Sequence, residues 1–207
     1  LTEDLDLSYR AQLKGWKFLF VEEVGAPAEL PAEMNALKNQ QFRWNKGAAE
    51  CTRKNLKKVL KDATISFPTK VNAVFHLMNS AVFICIVILA VLSLPMLVIK
   101  HEYMQYNLLF KLASIFLITL PILALFYWYS ESRKEDHFWK RLWSFVYQFP
   151  AFLSISMGMS LHNAVAVLEG YFGKKSAFIR TPKFNLLDSK KSSWVNNSYL
   201  KSKISWT

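Results

Sequence analysis

The run AVFICIVILAVLSLPMLVI, from Ala81 to Ile99, contains no charged residue over 19 positions. A second run, LASIFLITLPILALFYWY from Leu112 to Tyr129, is uncharged over 18 positions. With a rise of about 1.5 Å per residue, each run as a helix approaches the roughly 30 Å hydrocarbon thickness of a bilayer. We therefore predict two transmembrane helices within residues 71–130. A soluble helical core is the alternative, but two such runs would need a far larger protein around them.

The composition of the whole chain favours a membrane protein. Hydrophobic residues make up 52% of the 207 residues, and 26 Lys and Arg outnumber 15 Asp and Glu, for a net charge of +11. Such chains commonly hold apolar segments in a bilayer and place their cationic flanks against anionic headgroups. Nucleic-acid binding is the other common meaning of a strong positive charge. The long uncharged runs argue against it, so we expect a lipid bilayer and no nucleic acid as partner.

The distribution of Lys and Arg predicts which parts face the cytoplasm. There are 12 in residues 1–80, 2 in residues 100–111, 4 in residues 130–141 and 8 in residues 169–207. The positive-inside rule places the three richer regions in the cytoplasm. Two crossings satisfy this distribution, whereas a third would leave the basic tail outside. For the apolar segment Leu142 to Leu168, within residues 131–170, we therefore predict an interfacial or re-entrant helix, with a third transmembrane helix as the alternative.

The part before the membrane helices reads as soluble mixed structure over residues 1–50. Its pattern predicts a helix from Asp6 to Leu13 ended by Gly15, a strand from Lys17 to Val24, and a helix from Met34 to Glu50. Residues 51–70 are basic and amphipathic, which predicts a helix lying on a membrane surface. A solvated helix packed on its own domain is the alternative for this segment.

Three short motifs follow one another along the chain. The first is Thr2-Glu3-Asp4. The second is the pattern Q-x-x-R-W at residues 40–44, preceded by Glu29-Leu30-Pro31. The third is FIRTPK at residues 178–183, after the ambiguous apolar segment.

This order resembles the family 2 glycosyltransferases of the cellulose synthase, glucomannan synthase and hyaluronan synthase type. The resemblance extends from Leu1 to about Lys183, and Q-x-x-R-W just ahead of membrane helices is its most specific part. Arg180 stands where the third motif of the family has Val, so the gating role is the least secure part of the resemblance. The family fold implies that residues 1–50 are the C-terminal part of an α/β GT-A catalytic domain. Because Leu1 opens directly onto the first motif, we expect the chain to be a C-terminal fragment of a longer protein.

The resemblance implies that Asp4 is the catalytic base. In an inverting transfer the acceptor hydroxyl attacks the anomeric carbon opposite the leaving nucleoside diphosphate. A hydroxyl is a poor nucleophile at neutral pH, so a carboxylate must take its proton as the bond forms. The alternative is that Asp4 or Thr2 only caps the following helix.

The second motif is expected to bind the donor diphosphate and the acceptor. Arg43 can offer a two-pronged hydrogen bond to a phosphate, and Gln40 lies on the same helical face. Trp44 offers a flat ring on which an acceptor sugar can stack. The alternative is a surface helix with an arginine and a buried tryptophan.

The third motif is expected to form a gating loop in the cytosolic tail, residues 171–207. Phe178, Thr181 and Lys183 would close over the nucleotide and exclude water from the donor. A basic juxtamembrane tail attracted to anionic lipid is the alternative. The resemblance also implies a divalent metal, Mg²⁺ or Mn²⁺, but its acidic ligands precede the first motif in the family, and no metal ligand can be named in this chain.

The expected function is therefore processive synthesis of a β-linked glycan from a nucleotide-sugar, coupled to export. The resemblance implies a multi-pass protein of the plasma (inner) membrane with its catalytic part in the cytoplasm. A transferase that adds one sugar to a lipid is one alternative, and a non-catalytic membrane scaffold is another. The sequence does not indicate whether a partner subunit is needed.

Overall fold

The protein is described by a computed structural model that covers residues 2–21, 23–26, 28, 31, 33–131 and 137–175. Every regular element in these ranges is helical. The α-helices are α1 (Glu3–Gln12), α2 (Met34–Lys61), α3 (Phe67–Leu77), α4 (Val82–Glu102), α5 (Asn107–Ala113), α6 (Thr119–Glu131), α7 (Phe138–Gly158) and α8 (Ser160–Phe172), with short 3-10 turns at Asn79–Ala81, Met104–Tyr106 and Ser114–Ile118. The α/β part that the family fold implies is not seen in the described residues.

The described helices fall into two compact units. One unit comprises the described residues of Leu1–Ala81 and Val165–Thr207, and the other is Val82–Ala164. The first unit therefore takes α1 to α3 from the beginning of the chain and most of α8 from beyond the apolar segments. The described residues of the first two sequence motifs belong to this unit.

Helix α1 confirms the first predicted helix, although it begins at Glu3 rather than Asp6. Its first turn is acidic and its last turn holds Arg10, an arrangement that complements the helix dipole. The chain then turns at Gly15, where φ is +84° and the amide donates to the carbonyl of Gln12 at 2.9 Å. Glycine adopts this left-handed conformation without the steric cost that a side chain brings, which is why the helix ends here.

The strand predicted from Lys17 to Val24 is wrong for the residues the structure describes. Residues 17–21 and 24 have no regular structure, and Leu19 and Phe20 are 89% and 87% exposed. A strand is stabilised by hydrogen bonds and side-chain pairs with a neighbouring strand. No such pairing is present among the described residues, so this stretch has the composition of a strand but no neighbouring strand with which to form a sheet.

The basic segment 51–70 divides between two helices. Helix α2 continues to Lys61, and α3 begins at Phe67. Two residues of this half of α2, Cys51 and Val59, are buried in a core cluster with three residues of α1 and α3, namely Tyr9, Ala73 and Leu77, whereas Leu60 is 46% exposed. The larger exposed apolar side chains of this segment belong to α3, where Phe67 and Phe75 are 78% and 74% exposed.

The two uncharged runs are confirmed as candidate membrane spans. The continuous helical stretches Asn79–Glu102 and Met104–Ser130 are 24 and 27 residues long, and the most apolar 18-residue window of each has a mean hydropathy of 3.1 and 2.3 respectively. None of the most apolar window of either stretch is buried inside the protein. Each stretch is therefore long enough and apolar enough to cross the hydrocarbon core of a bilayer.

The third apolar segment forms a bent pair of helices. Helices α7 and α8 meet at Met159 with a bend of 47°, which fits either one broken span or a re-entrant loop. Aromatic contacts join α6 to α7, with the ring centroid of Tyr127 5.5 Å from that of Phe149 and 5.0 Å from that of Phe152. The guanidinium of Arg141 lies 4.4 Å from the centre of the Trp128 ring. An interfacial segment and a third crossing both remain compatible with this geometry.

Candidate active site

Helices α1 and α2 lie side by side and run in the same direction. Oγ1 of Thr2 lies 3.3 Å from Sγ of Cys51, and the Asn55 amide donates to the Asp6 carboxylate at 2.9 Å. The two contacts are four residues, about one helical turn, apart on both helices, and they follow the same order along each chain segment. The two helices are therefore parallel. The first motif is therefore held against the middle of α2 by two successive polar contacts.

Gly47 allows the first motif to approach the second. A Cβ atom at this position would lie 2.7 Å from the methyl carbon of Thr2 and 2.8 Å from its Oγ1, closer than real Cβ atoms come. Gly47 is three residues after Trp44, so the contact is made one turn of helix beyond the Q-x-x-R-W motif. The structure thereby brings the first two motifs together on one helix pair.

The side chains expected to act in transfer keep access to solvent. Asp4 is exposed, and its carboxylate accepts a hydrogen bond from the amide of Leu5 at 2.8 Å. Gln40 and Arg43 are half-buried, and Trp44 is 49% exposed. Trp44 is therefore not buried among the described residues, which differs from the alternative of a surface helix with an arginine and a buried tryptophan.

Thr2 does not act as a side-chain cap of α1. It occupies the N-cap position, but no capping hydrogen bond to the helix is formed, and its hydroxyl contacts Cys51 instead. Asp6 joins α1 to α2, because its carboxylate accepts the hydrogen bond from Asn55. The hydrogen bond from Asn55 holds the pKa of Asp6 below its usual value, and the positive charge of Arg10 acts in the same direction. The acidic residues of this helix therefore have different surroundings: Asp6 is tied to α2, whereas Asp4 is exposed.

Sequence reasoning missed the contact between α2 and α8. The ammonium of Lys46 is fully buried and donates to Glu169 at 2.9 Å. Next to Glu169, a Cβ atom at Gly170 would lie 2.5 Å from the carbonyl oxygen of Lys46 and 2.7 Å from Cβ of Ala49. The isolated glycines 47 and 170 in helical sequence were the only signal of these close approaches, and no pattern indicated that a lysine would be buried.

Replacing Gly170 with alanine is expected to lower the free energy of unfolding by about 1–3 kcal/mol, since the new methyl group meets backbone that cannot rotate away. Gly158 of α7 is the matched control, because a Cβ atom there meets nothing within 4 Å. Gly158→Ala should be neutral or stabilising by up to about 1 kcal/mol through helix propensity. Thermal unfolding of the two variants in detergent measures the difference, and equal midpoints would contradict the close packing of α8 on α2.

The other sites predicted from the sequence lie outside the described residues or have no matching group of side chains within them. Phe178, Thr181 and Lys183 of the third motif, together with Glu29 and Leu30, are outside the described residues. Within the described part, no group of three or more His, Cys, Asp or Glu side chains is placed to hold a metal ion. Within the described residues, therefore, no group of side chains fits the metal that the resemblance implies.

Comparison with known proteins gives one family. The family model described as glycosyl transferase family group 2 matches residues 1–159. Glucomannan 4-beta-mannosyltransferase 1 of Oryza sativa subsp. japonica is 33% identical over 103 residues, covering 45% of this chain and 20% of that protein. Glucomannan 4-beta-mannosyltransferase 7 of Arabidopsis thaliana is 41% identical over 64 residues, covering 31% of this chain and 12% of that protein.

The chain therefore matches only a fifth or less of the length of these relatives. No solved structure matches it. The family match nevertheless covers about three quarters of the chain and includes both motifs that α1 and α2 bring together. This chain belongs to glycosyl transferase family group 2.

Proposed function

We propose that the protein containing this chain is an inverting, processive polysaccharide synthase that transfers a hexose from a nucleotide-sugar to a growing β-glycan and exports the product. The observation that carries the proposal is the contact of Thr2 with Gly47. The exposed Asp4 is two residues after Thr2 in the chain. Arg43 and Trp44 are about one helical turn before Gly47 on α2.

Asp4 is the proposed base. Its exposed carboxylate takes the proton of the acceptor hydroxyl while the hydroxyl oxygen bonds to the anomeric carbon and the bond to the nucleoside diphosphate breaks. The hydrogen bond from the Leu5 amide occupies one carboxylate oxygen and orients the group. The other oxygen remains able to accept the proton.

Arg43 and Gln40 are the proposed binders of the departing diphosphate. Charge develops on the phosphate oxygens as the bond breaks, and fixed cationic donors stabilise that charge. Half-burial of both residues reduces their freedom and strengthens the interaction relative to open water. Trp44, which is half exposed, would hold the acceptor sugar against its ring face.

The relatives bear on the choice of substrate and cellular site. Both named relatives are glucomannan 4-beta-mannosyltransferases, so we propose a β-glycan acceptor and test an activated mannose first. Two candidate spans and the distribution of Lys and Arg support a multi-pass protein with a cytoplasmic catalytic part. Phe178, Thr181 and Lys183 remain the proposed gating residues, and the plasma membrane is the proposed location.

Product length tests the proposal. Membrane vesicles containing the full-length protein are incubated with labelled GDP- and UDP-hexoses, and the products are divided into lipid-soluble and polymeric fractions. We expect a long polymer from one donor. A single sugar in the lipid fraction would identify the single-addition enzyme instead, and no transfer from any donor would favour the non-catalytic scaffold.

We further propose that α3 is the interfacial helix of this region. Phe67, Val71, Phe75 and Met78 form one exposed stripe at helical spacing. Exposed lysines end the preceding helix, and the chain passes from α3 through a single 3-10 turn into a candidate span. Apolar side chains on one face, with cations nearby, suit the headgroup region of an anionic bilayer.

Labelling of introduced cysteines measures this orientation. In bilayers, Phe75→Cys is expected to react with a membrane-impermeant maleimide at least about tenfold more slowly than Thr69→Cys, because lipid excludes the reagent from a site of depth on the order of 5–10 Å. Both side chains are exposed in the protein alone, so the protein itself gives no reason for a difference. The wild type provides the background from Cys51 and Cys85. Equal rates in the bilayer would disprove the assignment of this stripe to lipid.

A further inference from the structure

Asn55 is a fully buried polar side chain at the contact between α2 and α1. Its amide nitrogen donates to the Asp6 carboxylate at 2.9 Å, whereas its side-chain oxygen is buried without a hydrogen-bond partner among the described residues. A buried acceptor that is left unpaired destabilises a fold. What the Asn55 side chain contributes in return is one described hydrogen bond, whose length and direction tie α2 to α1.

The two partners of the Asp6 carboxylate differ in what they connect. Asn55 joins Asp6 to the neighbouring helix, whereas the guanidinium of Arg10, 3.1 Å away, belongs to α1 itself. The Arg10 side chain is 57% exposed, and an exposed ion pair within one helix contributes little and cannot fix that helix against another. The hydrogen bond from Asn55 holds the pKa of Asp6 below its usual value, so the bond is made to an ionised carboxylate and is of the stronger kind.

Asp4 lies between two contacts that hold α1 on α2. Thr2, two residues before it, packs against Gly47, and Asp6, two residues after it, accepts from Asn55. One contact alone would let α1 tilt about that point, but two contacts about one helical turn apart fix its position along α2. Because α2 also carries the Q-x-x-R-W motif, the two contacts together set the distance from Asp4 to that motif.

We propose that Asn55 is a positioning residue for sugar transfer, which holds Asp4 at a fixed distance from the Q-x-x-R-W motif by anchoring Asp6 to α2. The inference rests on the proposed function, in which Asp4 is the base. A base must lie within hydrogen-bond reach of the hydroxyl whose proton it takes. A displacement on the order of 1 Å can lower a rate by about a hundredfold. A shift of α1 should therefore slow transfer and leave donor binding at α2 unchanged.

The test measures turnover at saturating donor, and the Michaelis constant for the donor, in variants of the full-length protein in membrane vesicles. Asn55→Ala and Asp6→Ala each remove the bond between the helices. We expect each to lower turnover by about ten- to a hundredfold, since small misplacements of reacting groups lower rates by this order. The Michaelis constant for the donor should not change. The double variant should lose no more than the worse single variant, because both remove the same bond.

Arg10→Met is the matched control, because it removes the other partner of the same carboxylate and leaves the bond between the helices in place. Its turnover should equal that of the wild type. Asp6→Asn keeps an oxygen that can accept from Asn55, so it should recover most of the rate lost in Asp6→Ala. Equal losses in Arg10→Met and Asn55→Ala would assign the effect to the charge balance of α1 and overturn the inference.

The Asp4→Asn background separates positioning from a merely structural role. Where there is no base to position, Asn55→Ala should cause no further loss, whereas an independent structural defect would multiply the two losses. Gel filtration in detergent measures the folded protein, and turnover is expressed per folded molecule. The Asp6 side chain is 19% exposed, so Asp6→Ala is expected to fold and keeps the test decisive even if Asn55→Ala does not.

The outcomes for the two assignments differ. Less folded protein with unchanged turnover per folded molecule would show a merely structural role for Asn55 and overturn the inference. Wild-type turnover in folded Asp6→Ala would overturn it as well, and both results would leave Asp4 as the proposed base. Wild-type turnover in Asp4→Asn would instead count against the proposed function itself.

Discussion

Asp4→Asn is expected to lower the rate of sugar transfer by about two to four orders of magnitude. Asparagine keeps the size of the side chain and can still accept a hydrogen bond from the Leu5 amide, but it cannot take a proton from the acceptor hydroxyl. Because Asp4 is exposed and makes no described contact with α2, the variant should fold normally. The measurement is incorporation of labelled sugar at saturating donor, with donor affinity determined separately.

Glu3→Gln is the matched control for this experiment. Glu3 is adjacent to Asp4, lies in the same first turn of α1 and is also exposed. Its neutralisation removes the same charge from the helix and should change the rate little. Equal transfer by Asp4→Asn and the wild type would rule out Asp4 as the base, and equal losses in both variants would assign the effect to charge on α1.

Arg43→Ala is expected to reduce transfer by about a hundred- to a thousandfold, the usual effect of removing one fixed donor to developing charge. Arg43→Lys should recover part of this loss, since it restores the charge without the planar two-pronged geometry. Rates at saturating donor, together with the Michaelis constant for the donor, show whether the loss falls on the reaction or on ground-state binding.

Lys57→Ala is the control for the loss of a cation from α2. Lys57 is exposed on the same helix, beyond the turn that contacts the first motif. If Arg43 acts only through the overall positive charge of the surface, the two alanine variants will lose activity equally. The proposed role requires a large loss at position 43 alone.

The candidate membrane spans could be predicted from the sequence because the apolar composition that defines them is local. An uncharged apolar helix as long as the hydrocarbon core is typical of a membrane span. Both predicted runs, Ala81–Ile99 and Leu112–Tyr129, fall inside the observed candidate spans. Helix α1 was predictable for the same reason, as Gly15 supplies the left-handed turn that ends it. These features depend on residues within a few turns of one another.

Features that depend on distant partners were not predictable. The stretch from Lys17 has the composition of a strand but no described partner to pair with. The C-terminal half of α2 has the basic amphipathic pattern of a surface helix, yet Val59 packs into the core with residues of α1 and α3. In both cases the local pattern describes the residue types correctly. Contacts with distant residues, which the pattern does not contain, determine the structure that forms.

The candidate site was predicted in part. The motifs identified Asp4, Gln40, Arg43 and Trp44, but not the glycine that lets the first motif lie against α2. Nor did the motifs indicate that Lys46, whose neighbours in the sequence are mostly polar, would be buried against the carboxylate of Glu169, 123 residues later in the chain. Patterning reports the average behaviour of a residue type, and lysine is almost never fully buried without a partner.

The assembly of one unit from both sides of the apolar segments has a consequence for biosynthesis. As the chain leaves the ribosome, α2 is complete well before α8 is made, and until then the Lys46 ammonium has no carboxylate from α8 to receive it. The packing of α2 can therefore be finished only after the candidate membrane spans have been synthesised. A nascent chain that ends before α8 is therefore expected to lack the Lys46–Glu169 ion pair and to leave this part of α2 incompletely packed.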